Sequence, residues 1–480
     1  MKQRSSVIVL RVVQRPGVTL AIVCTGVVLA TLDLFIVNVA FPALERGFDG
    51  AQLSTLSWVL NAYAIVVAAL LVPAGRLADR SSRKGGFLLG VAVFVVASAL
   101  CAVSPDVWFL IGARVLQAAG AALLIPSSLG LLLAAYPPER RAGAVRIYAA
   151  MSGVAAALGP VLGGLLVAAS WRWIFLVNLP IGVAALVAGR RYLPAPPRIA
   201  EPMPDLMGAA LLAAAAGAVT LALVRAPAWG WGSVATVATL TGGAALLAIF
   251  VRRSARHPSP IIELSLLHSR AFSASVGAMF IFSAAFAAML LSVVVWAQTE
   301  WGWSALKTGV AFAPGPLMVP IWAIVAGRFA HRVGPGLIAV VGAVVYACGA
   351  IWWATVIGVD ADWAGAMLPG ALLTGTGVGL TLPTWIATAA GALPPERFAT
   401  GSAVINMARQ LGYSVGVAIL VAVLGTPTGA LGALHAYRHG WETIAGLALL
   451  SALASLVLVT RRSAAPTAAP AGVGDVATGR

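Results

Sequence analysis

The chain has 480 residues, of which 60% are hydrophobic and only 10% are charged, and its formal net charge is +16 at pH 7. Soluble domains carry about 45–50% apolar and about 25% charged residues, so this chain lacks the polar side chains that cover a soluble surface. The composition excludes an ordinary soluble protein and predicts repeated membrane spans.

Apolar segments recur from Gly17 to Val459, separated by short polar breaks. Each is near the roughly 20 residues that a helix needs to cross hydrocarbon. Runs such as 208–224 lack the apolar–polar alternation of a membrane β-strand, which favours helices. The sequence therefore predicts an all-α integral membrane fold with about fourteen spans, near residues 17–40, 55–75, 85–104, 107–133, 142–169, 172–193, 206–225, 232–251, 271–297, 305–327, 335–357, 363–390, 399–424 and 440–460.

The basic residues are distributed unevenly between the two sides of the membrane. Most of the 31 lysine and arginine residues fall in segments on the same side as the N-terminus, for example 76–84 and 140–146. The positive-inside rule then predicts a multi-pass protein of the cytoplasmic membrane with both termini in the cytoplasm. A face for nucleic acid would not alternate between successive loops in this way, so we expect the lipid bilayer, and no nucleic acid, as the partner.

Two polar segments recur later in the chain. Residues 75–80 (GRLADR) resemble 327–332 (GRFAHR), and the PPER sequence at 137–140 recurs at 394–397. This repetition predicts a parallel duplication: a six-helix half at 1–193, an inserted helix pair at 194–256, a second six-helix half at 257–462 and a disordered cytoplasmic tail at 463–480. Two similar halves can rock about a central site, which favours transport by alternating access. Chance recurrence of common loop residues is the alternative.

Asp33 is the one carboxylate that lies deep within a predicted span. Burial favours the neutral form of a carboxyl group, so a residue here could take up and release a proton as a cavity opens to either side. We predict that Asp33 couples transport to protons; permanent structural pairing with an arginine is the alternative. Asn38 lies about 140° further around the helix, so it need not share this face, and it is a candidate for the cavity or for helix–helix contacts.

Arg114 is an embedded cation in span 4, and Gln117 lies three residues further on the same face. An arginine stays charged, so Arg114 could favour the charged form of a nearby carboxylate or hold an anionic group. We predict a coupling role for Arg114 and assign Gln117 to the candidate cavity. Snorkelling of Arg114 to the outer surface is the alternative.

Other polar, small and aromatic residues within spans are candidates for gating or substrate contact. Small residues and a proline along span 5 predict a hinge or a close helix seam: Gly153, Gly159, Pro160, Gly163 and Gly164. A polar patch near the inner end of span 13 could face the cavity or snorkel: Asn406, Arg409 and Gln410. Trp58 and Trp385 lie within spans and could stack on an aromatic substrate, whereas most other tryptophans lie near span ends and fit interfacial anchoring.

Five segments in chain order resemble motifs of a known family: 32–42, 75–84, 114–120, 153–164 and 171–182. Segment 75–84 resembles the signature between helices 2 and 3 of the major facilitator superfamily, 114–120 resembles its helix 4 motif, and 153–164 resembles its antiporter motif. Segments 32–42 and 171–182 resemble motifs of the fourteen-helix drug:proton antiporters of the EmrB/QacA type. The resemblance covers essentially the whole chain.

The resemblance implies a monomeric proton antiporter that exports small lipophilic or amphipathic compounds, in the manner of multidrug or antibiotic efflux, without a cofactor. It implies that Asp33 and Arg114 serve coupling, and that the inner gate includes Gly75, Asp79, Arg80 and Arg83. The chain departs from the family pattern at Ser82 and Ala118, which replace glycines, and at His331, which replaces an aspartate. These departures concern the details of gating.

Other functions lack the motifs that they require. The nearest candidate for a phosphate-binding loop, 302–308, has no glycine before its lysine, which argues against an ATP-driven pump. No H-E-x-x-H motif or nucleophile elbow occurs, and neither the three cysteines nor the His435/His439 pair has a complete metal-ligand pattern, so we expect neither an enzyme nor a metal site. A proton-coupled importer, or an exporter of one metabolite or lipid, remains the alternative. One buried carboxylate in an apolar interior suits amphipathic substrates, cationic ones included.

Overall fold

The computed structural model describes residues 16–195, 202–394 and 397–459. Within them, fourteen helices are long and apolar enough to cross a membrane, which confirms the predicted count and the all-α fold. In chain order they are α1 Pro16–Val39, α2 Leu53–Ser81, α3 Arg83–Ala102, α4 Val107–Ala135, α5 Glu139–Ala169, α6 Trp173–Tyr192, α7 Leu206–Trp229, α8 Val234–Ser254, α9 Arg270–Thr299, α10 Ala305–Val333, α11 Pro335–Val356, α12 Trp363–Gly391, α13 Thr400–Leu424 and α14 Gly429–Val459.

Two of the sequence-based predictions concern residues that lie outside these ranges. They are the tail at 463–480, predicted to be disordered, and Pro395 and Glu396 of the second PPER segment. The domain boundaries that the repeat suggests stay a prediction.

Several helices are longer than the predicted spans. α2 runs to Ser81 and α10 to Val333, so 75–80 and 327–332, which we expected to be loops, form the last turns of helices. α14 begins at Gly429, about three turns before the predicted start, which puts His435 and His439 on a helix rather than in a loop. A 29-residue helix such as α2 is about 43 Å long at 1.5 Å per residue. It therefore extends beyond hydrocarbon about 30 Å thick, and its polar end is solvated without ending the helix.

One end of the bundle, which we name the basic end, is held together by hydrogen bonds from lysine and arginine side chains. Lys84 Nζ, at the start of α3, donates to the carbonyl oxygens of Arg190 and Leu193 at 2.9 and 2.8 Å, just at the end of α6. Arg253, at the end of α8, pairs with buried Asp205 before α7 at 2.8 Å. α6 and α8 therefore end at this basic end, whereas α3 and α7 begin there.

The inserted pair lies against the rest of the bundle through α7. α7 packs on α8 along its length and also contacts α2 and α13. A buried hydrogen bond of 3.1 Å joins the hydroxyl groups of Thr220 on α7 and Ser414 on α13. α7 therefore covers the seam where α2, from the first six helices, meets α13, from the last six.

Candidate functional site

Asp33 lies in the second half of α1 and is completely buried, with 0% of its surface exposed. Its carboxylate accepts hydrogen bonds from three side chains on two other helices. Arg114 Nη1 donates to Oδ2 at 2.5 Å, while Gln117 Nε2 and Asn178 Nδ2 donate to Oδ1 at 2.9 and 3.2 Å. Both carboxylate oxygens are therefore satisfied inside the bundle, which is the condition under which a buried charge is tolerated.

Arg114 is also fully buried and forms a salt bridge with Asp33. Its Nε donates to the carbonyl oxygen of Val59 on α2 at 3.1 Å, and its guanidinium lies 4.2 Å from the centroid of the Tyr63 ring. The snorkelling alternative is wrong in this structure, because the guanidinium turns into the bundle and makes an ion pair there. Its Nη2 has no hydrogen-bond partner among the described residues.

Gln117 links the ion pair to α3. It accepts from Arg114 Nη1 at 2.5 Å and donates to Ser98 Oγ at 2.9 Å, so it belongs to the buried network and does not line the cavity. Sequence analysis missed two members of this network, Ser98 on α3 and Asn178 on α6. Asn178 falls in one of the family motifs, a signal that could have identified it, whereas a serine within a span carries no such signal.

The stability of this network depends strongly on the charge of Asp33. Removing one partner of a buried ion pair costs about 3–5 kcal/mol, because the other charge is left uncompensated. A proton on Asp33 would have this effect on Arg114, because it neutralises the carboxylate.

A small cavity lies on the other side of α1, between the first and last six helices. Its lining is apolar and aromatic, and comes from four helices: Leu34, Phe35 and Asn38 of α1, Leu60 and Ala64 of α2, Phe286, Ala287 and Leu290 of α9, and Tyr413 and Val417 of α13. The side chain of Asp33 is not among them. Of the predicted cavity residues, this lining includes Asn38, whose side-chain amide donates to the carbonyl oxygen of Leu34 at 2.8 Å.

The other predicted cavity residues lie elsewhere. Trp58 is half-buried at the start of the long segment of α2, and Asn406 donates to the carbonyl oxygen of Ser402 at 2.9 Å. Arg409 and Gln410 lie one turn before Tyr413, and the buried atoms Arg409 Nε and Gln410 Oε1 have no hydrogen-bond partner among the described residues. Trp385, which we expected to be free for stacking, instead packs edge-on against Phe282 and donates to Ser455 Oγ at 2.9 Å, so it belongs to the packed core.

The glycines of α5 bring it close to two helices at once. A Cβ at Gly159 would lie 2.5 Å from Cβ of Phe35, and one at Gly163 would lie 3.2 Å from Cα of Ile36, so this face fits against α1. A Cβ at Gly164 would lie 2.6 Å from Cα of Leu306 on α10. Gly153, by contrast, has no atom within 4 Å of such a Cβ, so close packing does not explain that position.

The contact between α5 and α10 lies far from the basic end. Across it, a Cβ at Gly309 of α10 would collide with the carbonyl oxygen of Pro160. The two backbones touch here through small residues, as they do at close crossings of membrane helices. This seam closes the space between the two sets of six helices at the end opposite the basic end.

The predicted gating residues lie at the junction of α2 and α3. Asp79 and Arg83 form an ion pair across this junction, and Arg83 Nη1 lies 3.5 Å from the carbonyl oxygen of Gly130 on α4. Gly75 faces α4, since a Cβ there would lie 3.2 Å from Cβ of Pro126, whereas Arg80 is exposed. Ser82 caps α3 by accepting a hydrogen bond from the Gly85 amide at 3.0 Å, which gives this departure from the family pattern a structural reason.

A further set of charges joins the two sets of six helices at the basic end. Arg76 Nη1 donates to Ser259 Oγ at 2.5 Å, and its guanidinium lies 3.8 Å from the carboxylate of Glu263. Arg397, just before α13, lies 3.8 Å from the same carboxylate. Glu263, in the connection between α8 and α9, therefore bridges two arginines from different parts of the chain.

In the part of the chain that the structure describes, no group of three or more histidine, cysteine, aspartate or glutamate side chains is placed to hold a metal ion.

Comparison with known proteins identifies relatives over most of the chain. The sequence profile of the Major Facilitator Superfamily matches residues 23–417. The chain is 34% identical over 422 residues to the tetracenomycin C resistance and export protein of Streptomyces glaucescens, covering 86% of this chain and 77% of that protein. It is 31% identical over 460 residues to the cephamycin export protein CmcT of Amycolatopsis lactamdurans, covering 95% and 94%. It is also 31% identical over 401 residues to the multidrug resistance protein Stp of Mycobacterium tuberculosis, covering 83% and 74%.

Among solved structures, the fold is similar to that of a peptide transporter crystallised in complex with sulfate. The TM-score is 0.68, the sequence identity is 17%, and the match covers 92% of this chain and 94% of that one. At this identity the similarity concerns the fold alone.

Proposed function

Because the chain belongs to the major facilitator superfamily, we propose that it exports small lipophilic or amphipathic compounds of the antibiotic type across the cytoplasmic membrane in exchange for protons. The relatives named for antibiotic resistance and export support the cargo class. Export itself, the proton as the coupling ion and the absence of a cofactor are parts of this proposal, as is action as a monomer. The basic end faces the cytoplasm in this proposal, in accordance with the positive-inside rule.

The observation that carries the proposal is the buried pair of Asp33 and Arg114 beside the central cavity. α1 presents Asp33 to α4 and α6, and presents the next two residues, Leu34 and Phe35, to the cavity. A proton that neutralises Asp33 would weaken its hold on α4 and α6, and any resulting shift of α1 would reshape the cavity wall. Coupling of this kind needs no contact between the proton and the substrate. It requires only that protonation changes the relative stability of two arrangements of α1 against α4 and α6.

The seams between the two sets of six helices support alternating access. α5 and α10 close the end opposite the basic end through Gly164 and Gly309. Rocking of the two sets of helices would open this seam and close the space at the basic end, so that the cavity changes sides while each set stays packed. The ion pair between Arg76 and Glu263, which joins α2 to the connection before α9, would then form or break at the basic end.

The proposal is tested by uptake of tetracenomycin C into inverted membrane vesicles, with and without an imposed proton gradient, for the unchanged protein and for Asp33→Asn. We expect gradient-dependent uptake by the unchanged protein and its loss in Asp33→Asn, since asparagine keeps the shape of the side chain but binds no proton. A matched control is Asp205→Asn, which changes a buried carboxylate outside the network.

Uptake that persists when a protonophore collapses the gradient, or that Asp33→Asn leaves unchanged, would contradict proton antiport through Asp33. Uptake only into right-side-out vesicles would instead identify a proton-coupled importer on the same fold. Membrane content and thermal melting of each variant establish that a lost activity is not a lost fold.

A further inference from the structure

The wall of the central cavity is aromatic on one side and carries no charged side chain among the residues that line it. Phe35 and Phe286 meet edge-to-face with ring centroids 6.2 Å apart, and Phe286 lies 5.9 Å from the ring of Tyr413. Such a wall suits the ring system of an aromatic compound. It does not explain how a polar or charged group on that compound would be held.

Arg409 and Gln410 lie next to this wall on α13. Positions that share a helix face recur at intervals of about 3.6 residues, and Asn406, the pair Arg409/Gln410, Tyr413 and Val417 follow this spacing. Tyr413 and Val417 line the cavity, so Arg409 and Gln410 lie about 6 Å along the axis from it, on its basic-end side.

The side chain of Arg409 faces the interior of the bundle rather than lipid. It lies one turn before Tyr413, which lines the cavity, on the same face of α13. Its Nε is buried, which a guanidinium that snorkels to the membrane surface would not require.

Arg409 is partly exposed, and its charge has no acidic partner among the described residues. Among the described residues it forms neither a salt bridge nor a hydrogen bond, and Nε is buried without a partner. Gln410 is 5% exposed, and its Oε1 likewise has no partner. Arg114 provides the contrast, since it is fully buried and pairs with Asp33, whereas Arg409 is half-buried. A partly buried cation without an anion has lost part of its hydration, and a ligand that supplies the anion compensates this loss.

We propose that Arg409 and Gln410 form the polar subsite of the substrate cavity, and that the preferred cargo is an aromatic compound with an ionised carboxylate or phenolate. The proposal rests on the proposed function and narrows its substrate class. The rings lie against Phe35, Phe286 and Tyr413; the ionised oxygen accepts hydrogen bonds from the guanidinium of Arg409, and a hydroxyl group of the compound donates to Gln410 Oε1. A guanidinium binds such oxygens through several charge-assisted hydrogen bonds.

This assignment reverses the expectation that a buried carboxylate would select cations. Asp33 is absent from the cavity wall and is already neutralised by Arg114, with Gln117 and Asn178 also donating to it. Its charge is therefore unavailable to a cationic substrate in this state. Arg409, next to the cavity, has no acidic partner among the residues that the structure describes, so the electrostatic preference at this end of the cavity is for an anion.

The test measures equilibrium binding of three probes that share one ring system: pyrene-1-carboxylate, its methyl ester and pyren-1-ylmethylammonium. The purified full chain is held in phosphatidylcholine nanodiscs without any gradient, and pyrene fluorescence reports binding. We expect the unchanged protein to bind the carboxylate at least about tenfold more tightly than the ester, a difference of about 1.4 kcal/mol. The ammonium probe is expected to bind most weakly.

Arg409→Gln should lower the affinity for the carboxylate about tenfold and leave that for the ester within about twofold, whereas Arg409→Lys should keep most of the preference for the carboxylate. The matched control is Arg438→Gln, a half-buried arginine on α14 at the opposite end that donates to the carbonyl oxygen of Ile357. It should leave all three affinities unchanged. Size-exclusion profiles and melting curves establish that each variant is folded.

Tighter binding of the ammonium than of the carboxylate, or an equal loss of affinity for all three probes in Arg409→Gln, would overturn the proposal. A phosphate headgroup has the same chemistry as the expected ligand, so binding is repeated in nanodiscs that contain phosphatidylglycerol. If this lipid displaces the carboxylate, Arg409 is a lipid site and the proposal fails; if it does not, the proposal stands. Because no gradient is present, these outcomes are independent of whether Asp33 couples transport to protons.

Discussion

The ion pair between Asp33 and Arg114 should dominate the response of the bundle to substitution, and a double-mutant cycle measures this. The cycle compares the unchanged protein with Asp33→Asn, with Arg114→Gln and with the variant that carries both changes. Each single change leaves one charge buried at a position where the structure gives it 0% exposure. The double change removes both charges and keeps side chains that can form hydrogen bonds.

The expected magnitudes follow from the burial of both partners. Breaking a buried pair by removing one member costs about 3–5 kcal/mol, because the other charge is left uncompensated, whereas the double change leaves neither charge in this state. Asp33→Asn should lie at the lower end, because an asparagine oxygen still accepts from Arg114. Arg114→Gln should lie at the upper end, since it also removes the hydrogen bond to Val59 and the contact with the Tyr63 ring. The double change also loses the contacts with Val59 and Tyr63, so we expect it to cost about as much as Arg114→Gln alone, which gives a coupling free energy of about 3 kcal/mol.

The assay is equilibrium unfolding of the purified chain in mixed micelles, followed by tryptophan fluorescence and repeated for all four proteins. A second cycle on Glu263 and Arg397 is the control, because their side chains keep 30% and 46% exposure and water compensates either charge when its partner is removed. That cycle should give a coupling of about 1 kcal/mol or less. Additive effects of Asp33→Asn and Arg114→Gln, with no coupling beyond the control, would refute the reasoning that each charge depends on the other.

Two further predictions concern the seam and the junction of α2 and α3. Gly309→Ala should lower transport strongly in the vesicle assay, because its Cβ would collide with the carbonyl oxygen of Pro160 and separate α5 from α10. The control is Gly143→Ala on α5, where a Cβ has no atom within 4 Å, and it should leave transport unchanged. Ser82→Ala should lower the free energy of unfolding by about 1 kcal/mol, because the cap on α3 is lost. Ser82→Gly should lower it by only a few tenths of that amount. Equal losses for the two variants in micelle unfolding would show that the cap is unimportant.

The fold was predictable because the chain has few charges and long apolar segments. Helix length and the distribution of basic residues were enough to count fourteen spans. The ends of the helices were not predictable from polarity, because a helix such as α2 continues into the polar region as far as Ser81. A polar break in the sequence marks the edge of the hydrocarbon, which need not be the end of the helix.

The charged residues of the candidate site were predictable, because charges are rare within membrane spans. Its serine and apolar residues were not, because such residues are common there. Asp33 and Arg114 stood out as charges within spans, and the structure brings them together at 2.5 Å. Ser98 did not stand out, because serines are common in membrane helices and only the packing of α3 against α4 brings it to Gln117. Leu34 and Phe35 could not be assigned to the cavity for a similar reason, since the sequence does not distinguish an apolar residue that lines a cavity from one in the core.

The separation of the ion pair from the cavity constrains how the two can be coupled. If Asp33 lined the cavity, a proton and a substrate could compete for it directly. Here α1 lies between them, and it is in contact with α5 through Gly159 and Gly163, next to the seam that α5 makes with α10. A movement of α1 would therefore act on the cavity wall and on the closed seam together. A ligand shifts an equilibrium only by its different affinities for the two states. A proton that changes the stability of the contact between α1 and its neighbours is therefore enough for the cavity wall and the seam to respond together.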